Sequence, residues 1–194
     1  NYQRFTHGLG FGDVNGDGRV DLLEKDGWWE QPESLAGAPL WKKHEFKFGD
    51  GGAQMFAYDV NGDGLNDVIT SLEAHGYGLA WFEQTRRDGQ ITFRQHLIMG
   101  REPTQNRYGV KFSQPHALDL ADMDGDGLKD IIVGKRFWAH GPDGDPEPNA
   151  PAVLYWFQLR RLRGGGVDFV PWLVDADSGV GTQVMVGQGN RDKL

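Results

Sequence analysis

An acidic nine-residue pattern occurs three times in this chain and constrains its fold more than any other feature. The pattern is Asp-x-Asn/Asp-Gly-Asp-Gly-x-x-Asp, and its copies begin at Asp13, Asp59 and Asp122. Glycine at the fourth and sixth positions lets the backbone turn sharply, so that oxygens from alternate side chains converge. Such a set of oxygens suits a hard cation, and calcium fits better than magnesium, which retains several waters. The sequence therefore predicts three calcium-binding loops.

The expected calcium ligands are the side chains at positions one, three, five and nine and the backbone carbonyl at position seven. They are Asp13, Asn15, Asp17, Arg19 (carbonyl) and Asp21 in the first loop; Asp59, Asn61, Asp63, Leu65 (carbonyl) and Asp67 in the second; and Asp122, Asp124, Asp126, Leu128 (carbonyl) and Asp130 in the third. The alternative is a set of three Asx-type turns without metal.

The first loop taken alone also fits the EF-hand pattern, because Glu24 stands at its twelfth position. Thr70 and Val133 hold that position in the other two loops, and β-branched residues follow where an EF-hand helix should begin. We therefore reject the EF-hand interpretation. Glu24 is expected to be a solvent-facing strand residue, or an extra ligand in that one loop.

Each loop lies inside a longer repeat whose apolar residues predict four β-strands. Period-two apolar residues, such as Leu9 and Phe11, precede each loop, and a short apolar run such as Leu22-Leu23 follows it. An aromatic pair followed by a glutamine (Gln31, Gln84 and Gln158) and one further run complete each copy. Four strands per repeat is the count of a β-propeller blade. We predict an all-β fold of antiparallel four-stranded propeller blades, with repeats at about 5–50, 51–99 and 100–175.

The last residues resemble the beginning of a fourth repeat, at about 176–194. Val184 and Val186 take the two apolar positions, and Gln188, Asn190 and Asp192 stand where loop ligands belong. This copy lacks the first aspartate and has Lys193 in place of a glycine, so it is not counted among the calcium loops. We expect residues 1–194 to be a segment of one propeller whose remaining blades close the ring, because repeats bury each other's faces.

Composition supports an extracytoplasmic, metal-dependent domain. Ten of the 28 acidic residues lie in the three loops, and three bound calcium ions would bring the formal net charge from −8 to −2. Nucleic acid is therefore not an expected partner. The chain has no cysteine and no run of 18 apolar residues, so neither disulfides nor a membrane span is predicted. Loops of this kind suit millimolar calcium, which favours a secreted, periplasmic or cell-surface location.

The recurring loop between an apolar strand and a β-branched strand resembles the FG-GAP or VCBS-type repeats of integrin α-subunit propellers and bacterial secreted proteins. This resemblance covers the whole chain and implies a calcium-stabilised β-propeller. Such propellers serve in adhesion, in carbohydrate contact, or as modules joined to enzymes. The resemblance does not specify a ligand, because fold is weak support for function.

Residues outside the shared repeat are the better candidates for a ligand site. Long insertions run from Gly100 to Pro115 and from Gly134 to Pro151. The second contains Lys135, Arg136, Trp138 and His140, a cationic and aromatic set suited to a carboxylate, a phosphate or a sugar ring. The alternative is a surface loop in which Trp138 packs on a neighbouring blade and Arg136 pairs with an aspartate.

Four polar residues begin the predicted innermost strands and would face the central channel. His7 and His116 lie six residues before a loop aspartate, and Gln54 and Gln183 lie five residues before the corresponding position. They are ligand-site candidates, or else they cap the channel by bonding to one another or to water.

Aromatic residues that recur in every repeat are expected to pack between blades. Trp28, Trp81 and Trp156 recur in this way, so a core role is favoured over carbohydrate stacking. His44 and His96 occupy matching places in the outermost strand and are expected to be surface or packing residues.

Three functional hypotheses follow. The first is a binding or adhesion module for a glycan or a protein; the second is a sugar lyase or dehydratase that uses His116, His140, Lys135 and Arg136; the third is a structural spacer. Convergence of these four residues with a titratable pair favours the enzyme, and an open groove beside Trp138 favours binding. Dispersal of the four over a convex surface would argue against both.

Overall fold

The computed structural model describes residues 6–177, 181–187 and 189. Its regular structure is all-β, as predicted, apart from a single 3₁₀ turn at Pro103–Gln105. The strands are β1 Leu9–Gly12, β2 Asp21–Glu24, β3 Gly27–Glu30, β4 Lys42–Glu45, β5 Gln54–Tyr58, β6 Asp67–Ser71, β7 Leu79–Arg87, β8 Gln90–Met99, β9 Pro115–Ala121, β10 Asp130–Lys135, β11 Leu154–Arg161 and β12 Val167–Asp175.

The strands form successive antiparallel groups of four, as expected for propeller-like blades. The first group is β1–β4, the second β5–β8 and the third β9–β12, each paired in chain order. Strand β1 also pairs in parallel with β5, which joins the first two groups into one eight-stranded sheet. Each group begins with a strand that leads into an acidic loop, so the three loops lie at the same end of their first strands.

Two glycines allow β1 and β5 to approach closely. A Cβ added to Gly10 would lie 1.9 Å from the Met55 carbonyl oxygen, and one added to Gly12 would lie 2.6 Å from the Ala57 Cβ. Because real Cβ atoms do not make such contacts, any larger residue at either position would separate the two first strands.

The hydrophobic core lies between neighbouring groups. One cluster joins the first and second groups, and a second cluster joins the second and third. The first contains Val14, Leu23, Trp28, Phe48, Met55, Val68, Phe82 and Phe93; the second includes Ile69, Trp81, Met99, Leu118, Ile131, Phe157 and Phe169. Each group therefore buries its apolar side chains against the next, as stacked repeats must.

The repeated tryptophans lie in these interfaces where a following group is present. Trp28 and Trp81 are buried, and each stacks on a histidine of the outermost strand: His44 at 4.0 Å and His96 at 4.4 Å between ring centroids. Trp156, in the third group, is only partly buried. The core role predicted from recurrence therefore holds for the first two tryptophans and less completely for the third.

Three residues of the first group, two apolar and one acidic, have exposures that their sequence positions do not suggest. Leu9 and Phe11 form a strand as predicted, yet they are 68% and 70% exposed. Glu24 is buried instead of solvent-facing, and its carboxylate pairs with Lys43 at 2.7 Å. The prediction for Glu24 was wrong because the neighbouring strand β4 supplies a cation that the loop pattern does not reveal.

The segment that resembles a fourth repeat is only partly described. Residues 181–187 contain no strand, although the Val186 amide donates to Asp119 Oδ2 at 2.8 Å. Gln188, Asn190, Asp192 and Lys193 lie outside the described residues. A fourth blade therefore stays a prediction.

Candidate functional site

The acidic loops share one hydrogen-bond frame, built on the aspartate at position one. Asp13 Oδ1 accepts from the amides of Gly16 (2.7 Å) and Asp17 (3.0 Å), and its Oδ2 accepts from Gly18 (2.9 Å). Asp59 and Asp122 accept the equivalent three amides in their own loops. Glycines at positions four and six, such as Gly16 and Gly18, adopt the positive φ angles that this turn requires.

The aspartate at position nine ties each loop to its group. Asp67 is fully buried; its Oδ2 accepts from the Val60 amide at 3.0 Å and its Oδ1 from the Gln84 amide at 2.8 Å. Burial raises the pKa of Asp67 to about 7. Asp21 and Asp130 are also buried, and each accepts two backbone amides in the same way. Burial raises the pKa of each. A nearby cation would favour the charged form of these carboxyls, which fits a calcium loop.

These amide bonds also correct the alignment of the third repeat. Asp21 and Asp67 accept from the amides of Gln31 and Gln84, whereas Asp130 accepts from that of Leu159. Gln158 therefore aligns with Glu30 and Glu83, and not with Gln31 and Gln84 as the sequence pattern suggests.

The remaining loop positions place further oxygens close by. In the third loop, carboxylate oxygens of Asp122, Asp124 and Asp130 lie within 4.8 Å of one another. In the first two loops, Asn15 and Asn61 donate through their side-chain amides to Asp17 (2.8 Å) and Asp63 (3.0 Å). The backbone amides of Arg19, Leu65 and Leu128 donate to the position-five carboxylate, and the Arg19 guanidinium pairs with Asp17. The donor set is all oxygen and suits a hard cation; its assignment to calcium stays a prediction.

Three histidines meet at the opposite end of the first strands, and we call them the histidine cluster: His7, His75 and His116. His7 precedes β1, His116 lies in β9, and His75 lies between β6 and β7. The ring centroid of His7 is 4.7 Å from that of His75 and 4.9 Å from that of His116. Each of the three groups thus contributes one imidazole.

A buried ion pair lies against this cluster. Arg136 Nη2 is 2.8 Å from Asp145 Oδ2 and 2.9 Å from His75 Nδ1, and Arg136 is 6% exposed. Asp145 also contacts His75 at 3.1 Å and His140 at 2.9 Å. Burial alone would raise the pKa of Asp145, but hydrogen bonds from His140 and His75 and the charge of Arg136 hold it below its ordinary value. The carboxylate therefore stays charged near neutral pH.

Two of the cluster histidines, His7 and His116, have environments that favour the neutral imidazole. Burial, with smaller effects from Arg136 and His7, lowers the pKa of His116 to about 4. Burial also lowers the pKa of His7, and electrostatic interactions with His75 and Arg136 lower it further. At pH 7 both rings are thus uncharged, with one nitrogen lone pair each.

Contrary to expectation, Lys135 and Trp138 are not part of this arrangement. Lys135 is fully buried, donates to Ser113 Oγ at 2.7 Å, and has a pKa lowered by burial. Trp138 is 47% exposed and donates to Asn149 Oδ1 at 3.1 Å, so it is not packed on a neighbouring group. The structure contains one feature of the surface-loop alternative, the ion pair of Arg136 with an aspartate.

The two candidate glutamines lie in different settings. Gln54 Oε1 accepts from the Leu118 amide at 3.0 Å, which links the second and third groups at the start of their first strands. Gln183 is exposed. His7 and His116 are close neighbours as predicted for the channel end, whereas Gln54 serves as a tie between groups.

An open cavity of about 640 Å³ lies beside the histidine cluster. It is lined by His75, Tyr77, Arg101, Gln105, Asp145 and Pro146, among others. The Arg101 guanidinium lies 5.2 Å from the centre of the Tyr77 ring. Residues from both insertions, 100–115 and 134–151, thus meet at one concave surface with an aromatic ring and a cation.

His75, Tyr77 and Asp145 were missed by sequence reasoning. His75 and Tyr77 lie in the short β6–β7 connection; the corresponding connection of the first repeat has no histidine, and that of the third carries His140 in its long insertion. Asp145 lies in the 134–151 insertion, where it is one of several acidic and glycine residues. The signal that could have identified His75 is the position of the β6–β7 connection, which lies beside the strand starts that carry His7 and His116.

No helix among the described residues is long and apolar enough to cross a membrane.

Comparison with known proteins supports the repeat interpretation. Residues 59–133 match the family model of the FG-GAP-like repeat. Integrin alpha-PS3 of Drosophila melanogaster is 30% identical over 120 residues, which is 55% of this chain and 10% of the integrin subunit. The chain thus spans about a tenth of the length of this relative. The second acidic loop, the connection that follows it and the third acidic loop are all contained in the matched stretch, so this part of the chain is similar to the FG-GAP-like repeat.

Proposed function

We propose that this chain is part of a calcium-stabilised β-propeller that binds an external ligand, a carbohydrate or a protein, outside the cytoplasm. The observation that carries the proposal is the meeting of the two insertions, residues 100–115 and 134–151, at one cavity beside the histidine cluster. Insertions on a rigid repeat scaffold are where recognition residues concentrate.

The acidic loops supply the stabilising part of this function. Their hydrogen-bond frame positions the carboxylates of the three loops in the same way, and an all-oxygen donor set suits calcium. Sites of this type bind at the calcium concentrations found outside cells, which supports the proposed secreted, periplasmic or surface location. The apolar, exposed faces of the first and third groups, such as Phe11 and Trp172, are suited to contact further blades.

The cavity supplies the recognition part. Tyr77 offers a ring face for stacking, Arg101 a cation for a carboxylate or sulfate, and Gln105 an amide for hydroxyl groups. Exposed Trp138 and His140 lie in the insertion that also carries Asp145. An acidic sugar, or a protein loop with an acidic side chain, matches this combination of aromatic and cationic groups.

The test is a screen of polysaccharides and proteins for binding to the calcium-loaded protein. Tyr77→Ala should weaken binding of an identified ligand at least about tenfold, since aromatic anchors dominate such interfaces. His44→Ala, at the outermost strand of the first group, is the matched control and should leave binding unchanged. A ligand whose affinity is the same for wild type and Tyr77→Ala would contradict this site.

A second candidate function, a sugar lyase or dehydratase, is favoured by one specific observation. His140 and Asp145 form a titratable pair at 2.9 Å, beside the neutral His7 and His116 and the Arg136 guanidinium. A neutral imidazole near a guanidinium can remove a proton from carbon next to a carboxylate. This candidate would be supported if the protein forms an unsaturated product from an acidic polysaccharide and His140→Ala does not. If no tested polysaccharide is turned over, binding is the only function of the two that stands.

A further inference from the structure

We propose that His7, His75 and His116 form a binding site for a transition-metal ion such as Zn²⁺, separate from the three acidic loops. The proposal does not rest on the function proposed above. It stands on the geometry of the imidazoles, on the group that orients one of them, and on an unpartnered buried nitrogen.

The geometry places three nitrogen donors around one point. Ligand atoms of His7, His75 and His116 lie within 4.8 Å of one another, and the two Nε2 atoms of His7 and His75 are 2.9 Å apart. Two nitrogens that bind one tetrahedral zinc at about 2.0–2.1 Å are separated by roughly 3.3 Å. Small rotations of the rings would therefore bring all three donors onto one ion and leave a fourth position open.

Asp145 orients the central imidazole for this role. Its Oδ1 lies 3.1 Å from His75 Nδ1, and Arg136 Nη2 lies 2.9 Å from the same nitrogen. We assign the Nδ1 proton to the carboxylate and the Arg136 proton to Asp145 Oδ2 at 2.8 Å, which leaves the Nε2 lone pair of His75 facing His7. A carboxylate behind a histidine is the usual support of a metal-bound imidazole, because it fixes the tautomer and raises the basicity of the ligand. Arg136 and His140 in turn hold Asp145 in place.

His116 supplies the second, independent observation. Its Nδ1 is shielded from solvent and has no hydrogen-bond partner among the described residues. Buried polar atoms are almost always hydrogen-bonded, and each exception calls for an explanation. An ion shared with the two adjacent imidazoles accounts for this nitrogen.

The donor type separates this site from the acidic loops. Imidazole nitrogen favours zinc, copper or nickel, whereas calcium takes oxygen ligands. The neighbouring Arg136 charge is balanced by Asp145 at 2.8 Å, which lowers the electrostatic cost of adding a cation nearby.

A metal titration of the calcium-saturated protein tests the proposal. Isothermal titration with Zn²⁺ should give one equivalent bound, and Co²⁺ should give the visible absorption of a tetrahedral nitrogen site. His116→Ala and His7→Gln should each abolish the Co²⁺ bands. Asp145→Asn, which keeps the side-chain shape, should weaken Zn²⁺ binding about 10–100-fold. His96→Ala, which removes a histidine outside the cluster, is the control and should bind as wild type does.

Three results would overturn the proposal. The first is the absence of Zn²⁺ uptake by wild type; the second is equal uptake by wild type and His116→Ala with circular dichroism unchanged. The third is a loss of Zn²⁺ in His140→Ala as large as in His116→Ala, because His75, His140 and Asp145 also lie within 4.8 Å of one another and would then be the site. Loss of ligand binding in Tyr77→Ala with Zn²⁺ uptake retained would separate this site from the proposed ligand cavity.

Discussion

The two ends of the first strands in each group are built in opposite ways. At one end, the acidic loops repeat the same bonds: Asp13, Asp59 and Asp122 each accept three backbone amides of their own loop. At the other end, His7 and His116 meet His75, which lies in the connection between β6 and β7. The carboxylate frame of each acidic loop forms within its own group, and the next group adds bonds to the loop carbonyls, as Arg86 does to Asn15 and Arg161 to Val60. The histidine end, in contrast, is complete only when three groups come together.

This difference separates scaffold from site. A feature that occurs once per repeat and bonds locally can stabilise every group independently, as expected for a linear array. A feature assembled from different groups depends on their relative positions and can carry recognition.

Removal of calcium should destabilise the protein more than any single substitution. Calcium at about 100 times its dissociation constant stabilises by roughly 2.7 kcal/mol per independent site. Thermal unfolding with calcium and with chelator should therefore differ by several kcal/mol in total. A melting curve that chelator does not shift would show that the acidic loops are Asx turns without metal.

Asp67→Ala should cost about 2–6 kcal/mol, because it leaves the amides of Val60 and Gln84 buried without an acceptor. Urea unfolding measures the cost. Asp63→Ala, at an exposed position of the same loop, is the control, and its cost should disappear when calcium is removed. Equal costs for the two variants in chelator would show that Asp67 anchors the loop no more than Asp63 does.

Arg136→Met should cost about 3–5 kcal/mol, because it leaves the buried Asp145 carboxylate without its guanidinium partner. The measurement is again urea unfolding, with calcium present throughout. The double variant with Asp145→Asn should recover part of this cost. If the double variant is less stable than Arg136→Met alone, the histidine end does not depend on this pair.

His96→Ala should have the smallest effect, about 0.5–1.5 kcal/mol, through loss of its stacking on Trp81. His44→Ala should match it, because His44 stacks on Trp28 in the same way. Thermal unfolding of the two variants tests whether repeated positions contribute equally. A difference above about 1 kcal/mol would show that the first two groups are not energetically equivalent.

The repeated part of the molecule could be predicted from sequence. The loop turns, the strand before each loop and the strand after it follow from local patterns such as Asp59 to Asp67 and Val68-Ile69. Local bonds determine these features, and local sequence therefore contains them. The buried position of Glu24 and its pairing with Lys43 depend on strand β4, some 20 residues away, and were missed.

The histidine end could be predicted only in part. His7 and His116 occupy the same position in their repeats, and this was sufficient to predict that they lie at the same end of the first strands. His75 and Asp145 hold no repeat position, so only the packing of three groups reveals them. Lys135 was assigned to the ligand set because of its charge, yet it is buried on β10 with its amine on Ser113.

The parallel pairing of β1 with β5 has a consequence for folding kinetics. Almost every other strand pair is a hairpin between consecutive strands, which closes a short loop, but Gly10 pairs with Met55 across a whole repeat. Closing so long a segment costs more chain entropy, so contacts of this kind form after the local hairpins. We therefore expect the hairpins to form first and the two first strands to dock second, and a side chain at Gly10 or Gly12 to impede the docking step while leaving each hairpin free to form.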